Sequence, residues 1–188
     1  LMVVPQDTAQ KAEALLTNGN PSTFYFTRDI ATEVKQADGI EQASEQTYIS
    51  SLAAACCDEK LQIIGYAPST DFVIEPWVAS QFKGTLEDGK MIAGANVNVS
   101  TDGTIELYGR KWPVVAQLAN TGTSLDNSVF INQATVPDMV AASSKVSKQV
   151  MPMEYAGKAV STVMIKVKQG YEAQTVAENI KRIDSRFA

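Results

Sequence analysis

From residue 84 to residue 136 the chain changes character. Short apolar runs alternate there with turn dipeptides at Asp88-Gly89, Asp102-Gly103 and Gly109-Arg110. Ile105 and Leu107 precede the tetrapeptide Tyr108-Gly109-Arg110-Lys111, and Trp112 and Val114 follow it, each pair on alternate positions. Alternation on both sides of a tight turn is the pattern of two half-buried strands joined as a hairpin. Any fold for this chain must therefore hold a β-rich segment in its middle.

The flanks carry a different periodicity. Leu1-Met2-Val3-Val4 predicts an opening strand that Pro5 stops. Residues 8–17 are good helix formers, and Asn18-Gly19-Asn20-Pro21 ends them. Residues 22–26 form a short extended aromatic piece. Thr27 is placed to cap a helix running to residue 37, with Ile30, Val34 and Ala37 on one stripe and Gly39 as its stop. A strand from 40 to about 52, a short buried strand over 61–66 and a turn over 68–71 follow, and then Phe72-Val73-Ile74 reads as extended before Pro76-Trp77. Beyond the β-rich stretch, 136–143 predicts a helix with Pro137 tolerated in its first turn. Over 161–168, Val163, Ile165 and Val167 point one way and Thr162, Met164, Lys166 and Lys168 the other. The last element, 172–182, spaces Ala173, Val176, Ile180 and Ile183 as a helix does. The expected fold class is α+β: one α/β part formed by both chain ends, with a β-rich insertion between them.

Composition narrows the functions available. With 188 residues the chain is one domain or two small ones. A net charge of -5 and a pI near 4.8 argue against nucleic acid or an anionic membrane surface as partner. No apolar run approaches the roughly 18–20 residues that cross a bilayer. The chain opens on Leu1 with no initiator methionine or signal segment, and we expect it to be a piece of a longer protein that has room for membrane segments elsewhere. There is no histidine, which removes Ser-His-Asp and Cys-His catalysis, His-metal sites and His-based pH switching together.

The remaining candidates for chemistry are few. Cys56-Cys57 is either a pair of small semi-apolar residues at a strand end or a redox-labile disulfide. Adjacent Cα atoms about 3.8 Å apart lie below the usual disulfide span of roughly 4.4–6.8 Å, so a bridge would distort the peptide. A metal site there would want more Cys or His. Asp126-Asn127-Ser128, after Thr121-Gly122-Thr123-Ser124, offers oxygens to a cation but lacks the spaced acidic ladder of a calcium loop; turn chemistry accounts for it better. Asn98-Val99-Ser100 matches a glycosylation acceptor, which matters only in a eukaryotic secretory setting. Asp71, Glu75, Glu87 and Asp88 are scattered on predicted turns and build no acid/base pair. Trp77 and Trp112 are expected in the core, and Phe24-Tyr25-Phe26 suits either core or partner contact. No GxxxxGK[ST] phosphate loop occurs, so any ATP use belongs to another chain.

Three segments carry a family resemblance. Residues 84–94 (GTLEDGKMIAG) resemble the pattern G-x-x-L-x-x-G-E-V-V-V-G, with Lys90 at the usual acidic position. Residues 103–116 (GTIELYGRKWPVVA) resemble G-D-T-I-x-L-x-G-x-x-F-x-V-V-G, with Ala116 where Gly is common. Residues 121–130 (TGTSLDNSVF) resemble T-G-T-x-x-D-x-x-V-F. Together they look like the extracytoplasmic (periplasmic core) domain of MacB/FtsX-like ABC transporter permeases, and the resemblance extends over nearly the whole chain.

The resemblance implies a domain placed between the first two membrane helices of a four-helix permease. Residues 1–78 and 146–188 would form its porter-like subdomain and 79–145 its β-rich, sabre-like subdomain. It implies a second copy of the permease and a cytoplasmic ABC ATPase, separate or fused, as partners, with an extracytoplasmic adaptor or substrate outside. The full-length protein would be membrane-embedded with this domain on the periplasmic or outer face. The motifs are structural, so no catalytic residue, cofactor or metal is carried over, and the expected role is non-enzymatic transmission of ATP-driven motion. The outward loop Thr121-Gly122-Thr123-Ser124-Leu125-Asp126-Asn127 is the expected place of partner contact. The rival is a free-standing secreted protein, either a redox protein using Cys56-Cys57 or a ligand-binding domain with a deep polar pocket.

Overall fold

The computed structural model describes residues 1–51, 57, 59–146 and 149–187. In chain order they form β1 (Met2–Val3), α1 (Ala9–Asn18), β2 (Phe26–Thr27), α2 (Arg28–Val34), β3 (Ile40–Ser50), β4 (Gln62–Tyr66), α3 (Glu75–Gln81), β5 (Met91–Ala93), β6 (Thr104–Leu107), β7 (Arg110–Gln117), β8 (Ser128–Asn132), α4 (Val136–Ser144), β9 (Ala159–Val160), β10 (Thr162–Val167) and α5 (Ala173–Ile183). Eight strands make one mixed sheet in the order β1-β10-β3-β4-β8-β5-β7-β6, and β2 pairs with β9 apart from it. The class is α+β, as the sequence predicts.

Registers fix which helices cover which face. Val163 pairs with Glu45 and Ile49 with Ile63, so the two-residue side-chain period puts Val163, Ile165, Ile49 and Ile63 on one face. Val176 and Ile180 of α5 and Ala31 and Val34 of α2 close over its β10 side. Val136, Met139 and Val140 of α4 close over its middle, against Ile49, Ile63, Val129 and Ile131. On the other face Tyr48, Ile64, Tyr66, Ile92 and Phe130 meet Ala12 and Leu15 of α1 and Val78 of α3. Covered on both sides, β4 is buried at every position, and it pairs in parallel with β8. This pairing joins the two stretches of chain, because β4 belongs to 1–78 and β8 to 79–145.

The expected hairpin is β6–β7, with Leu107 opposite Arg110 across a two-residue turn. Tyr108 (φ 55°) and Gly109 (φ 67°) both take the left-handed conformation, which suits the twist of the flanking strands. A tyrosine is unusual there, and its phenol is tied down by donating to Ser50 O at 2.7 Å. Behind the turn Trp112 is fully buried, with its indole N–H donating to Leu107 O at 3.1 Å. The alternation over 161–168 also forms as expected. Thr162 is buried with Val163 and Ile165, because its hydroxyl donates to Val3 O at 2.9 Å.

Thr27 stands at the N-cap of α2 as expected, but its side chain makes no capping hydrogen bond, and two further expectations change. Phe72-Val73-Ile74 is not a strand but the lead into α3, whose Pro76 sits in the first turn, where its missing N–H costs nothing. The helix begins there because Asp71 Oδ1 accepts from the N–H groups of Val73 (2.9 Å), Ile74 (2.5 Å) and Glu75 (3.0 Å). The helix expected to run to residue 37 ends its α-helical part at Val34, and turns carry the chain on to Gly39.

Both ends of the described chain meet in one corner. The Leu1 amine donates to Ile165 O at 2.8 Å, and Gln6 N–H donates to Arg186 O at 2.6 Å beside a Pro5–Phe187 bridge. Among the described residues no helix is long and apolar enough to cross a membrane.

Candidate functional site

The loop 121–127 is built around one carboxylate. Asp126 is only 1 % exposed. Its oxygens accept from Thr121 N–H (2.9 and 3.1 Å), the Thr121 hydroxyl (2.9 Å) and Gly122 N–H (2.7 Å). Burial works to raise this carboxyl, but the hydrogen bonds from Thr121 and Gly122 outweigh it and hold it below its ordinary value. The carboxylate is thus committed to the loop's own donors, as turn chemistry predicts. Thr123 accepts from Leu125 N–H at 3.3 Å and so caps the single 3-10 turn Ser124–Asn127.

The loop is anchored from below by close backbone contact. A Cβ on Gly94 would lie 2.4 Å from Leu125 O and 2.6 Å from Asp126 O, so only glycine lets the two segments approach. Asn96 N–H donates to Asp126 O at 2.9 Å, and the Asn96 amide donates to Asn127 Oδ1 at 3.3 Å. Leu125 packs on the core beneath α1, and Ser124 lies beside Gly19 at the end of that helix. Thr121, Gly122, Thr123 and Asn127 face solvent, while Ser124 and Leu125 are half-buried. The result is a fixed, uncharged platform of hydroxyls and amide groups.

Cys57 is half-buried, and its Sγ accepts from Tyr108 N–H at 3.4 Å, which sets it behind the β6–β7 turn. Cys56 lies outside the described residues. Of the scattered carboxylates, Asp71, Glu75 and Glu87 have side-chain partners. Asp71 caps α3 and also takes the Gln46 amide at 2.9 Å, Glu75 accepts from the Tyr66 hydroxyl at 3.0 Å, and Glu87 pairs with Lys90 at 2.6 Å. Burial, with Glu75 adding to it, pushes the Tyr66 phenol well above its ordinary value; burial and the Asp71 charge do the same to Tyr48. The Asp71 cap is missed by sequence reasoning, although an Asp four residues ahead of Glu75-Pro76 is the signal that could have found it. Trp77 packs edge-on to Phe130 at 5.5 Å, so both tryptophans are structural.

No family model and no curated protein matches the sequence. Solved structures do match. The extracellular domain of the ABC-type transporter YknZ from Gram-positive bacteria superposes with a TM-score of 0.50 at 12% identity, over 97% of this chain and 91% of that one. The periplasmic region of MacB from Actinobacillus actinomycetemcomitans gives a TM-score of 0.52 at 9% identity, over 100% and 86%. The chain has the fold of these extracytoplasmic transporter domains. At such identities the likeness is one of fold, and it reaches across both chain ends and the β-rich middle alike.

Proposed function

We propose that this chain is a non-catalytic extracytoplasmic domain of an ABC transporter permease. It would couple ATP-driven motion of membrane helices to a substrate or partner outside the membrane. The observation that carries the reading is the fold match to two such regions over nearly the entire chain. The meeting of both described ends in one corner adds support, since a domain inserted between two membrane helices needs its entry and exit side by side.

In this reading 1–78 and 146–188 are the porter-like part and 79–145 the sabre-like part, with the parallel β4–β8 pairing as the joint that transmits force. Thr121, Gly122, Thr123 and Asn127 form the contact platform for an extracytoplasmic adaptor or substrate, and Asp126 with Ser124 and Leu125 holds it in place. A second copy of the permease and a cytoplasmic ABC ATPase complete the assembly. The rival redox reading draws no support from the fold match.

The test is purification of the full-length protein from detergent-solubilised native membranes. A dimer accompanied by an ABC ATPase, or carrying an ATPase domain of its own, is the expected result. A monomer without either sinks the proposal.

A further inference from the structure

A cavity lies away from the loop 121–127, between the two ends of the described chain. It is an open groove of about 620 Å³ walled by Tyr25, Phe26, Ile30, Pro5 and Phe187. That volume is in the range of sites that take small ligands or peptide side chains. Its floor is aromatic: Phe26 meets Phe187 edge-on at 5.1 Å, and Tyr25 leans on Tyr155 at 5.6 Å. Burial raises the Tyr25 phenol, with the charges of Tyr155 and Glu154 adding to it, so the wall holds neutral rings.

The rim has the opposite character. Asp7 lines the groove and has no ion-pair partner among the described residues. Among the described residues Arg186 is the one cation lining it. Its guanidinium donates to both oxygens of Asp184, from Nη2 to Oδ2 at 2.5 Å and from Nε to Oδ1 at 2.9 Å, and also feels Glu33 and Asp29. Asp184 thus binds the guanidinium, Glu33 and Asp29 are near enough for their charges to act on it, Asp7 has no ion pair of its own, and the Glu154 charge acts on Tyr25. An aromatic floor inside an acidic rim selects an occupant that is apolar and cationic at once, because the rim attracts the charge and the ring faces accept both groups.

We infer that this groove binds a peptide segment in which an apolar side chain is flanked by Lys or Arg. The inference stands independently of the transporter reading, since it uses only the groove's own chemistry. The test titrates the ¹⁵N-labelled 188-residue chain with the capped peptide Lys-Phe-Leu-Lys and, as control, Glu-Phe-Leu-Glu. Shifts centred on Tyr25, Ile30 and Phe187 are expected with the cationic peptide, and binding about tenfold weaker or more with the acidic one. Raising the salt to about 0.5 M should weaken the first several-fold. Asp7 is exposed, so Asp7→Lys should melt like the parent while reversing the preference between the two peptides. Equal binding of both peptides, shifts centred elsewhere, an unchanged preference in Asp7→Lys, or groove shifts that track protein concentration without peptide would each overturn the assignment. The last outcome would mean that a second copy fills the groove.

Discussion

Removing the Asp126 carboxylate should loosen the loop 121–127 and cost the fold a measurable part of its stability. In the native state that carboxylate takes three donors, Thr121 N–H, Thr121 Oγ–H and Gly122 N–H, at 2.7 to 3.1 Å. Hydrogen bonds to a charged group contribute about 1.5–3 kcal/mol each. The donors belong to solvent-facing residues, however, and water recovers much of what they lose. We therefore expect Asp126→Ala to cost about 2–4 kcal/mol, well below the sum of three such bonds. For a chain of this size that corresponds to a fall in Tm of roughly 5–15 °C. Asp126→Asn keeps one acceptor oxygen but turns an amide group toward a neighbouring donor, so it should recover little. The carboxyl lies below its ordinary value in the fold, so its contribution is fully present above the unfolded value near pH 3.9 and is lost only as pH falls through the lower, native value. Urea melts of parent and variant across this range are the assay. A difference under about 0.5 kcal/mol at neutral pH, or one that persists unchanged in strong acid, would refute this account of the loop.

Other substitutions probe separate joints. Gly94→Ala sets a Cβ within 2.6 Å of two carbonyl oxygens and should cost about 1–3 kcal/mol, with amide-exchange protection lost first over 121–127. Trp112→Ala empties a fully buried site behind the β6–β7 turn and should cost about 3–5 kcal/mol in a thermal or urea melt. Asp71→Ala strips the lead into α3 of the acceptor for three N–H groups and should cost about 1–2 kcal/mol; unchanged exchange rates at Val73, Ile74 and Glu75 would speak against that capping role.

Much of this architecture is legible in the residues because the informative signals are local. The β6–β7 hairpin follows from alternation about Tyr108-Gly109, β10 from the alternation of Val163, Ile165 and Val167, and α5 from the spacing of Val176 and Ile180. What escapes depends on distant partners. Phe72-Val73-Ile74 has strand composition, and only the Asp71 cap, together with Pro76 in the first turn, makes it the entry to a helix. The burial of β4 is legible in its own apolar run, but its parallel pairing with the distant β8 is not. Asp126 shows the same limit within the candidate site. Its type fits a turn, but its burial comes from the approach of Gly94, which no spacing reveals. The aromatic run Phe24-Tyr25-Phe26 is visible in sequence, but its meeting with Phe187 beside Asp7 joins the two ends of the chain and is not.

The most direct test of the central proposal is labelling of the natural full-length protein in intact cells. Single cysteines at Leu16→Cys and Thr123→Cys, both at exposed positions, would be placed in a background lacking Cys56 and Cys57. Cells would be treated with a small membrane-impermeant maleimide and then fractionated. The account predicts that both positions are labelled without lysis and that the label stays with the membrane fraction. Labelling only after lysis, or labelled protein free in the medium, would contradict it.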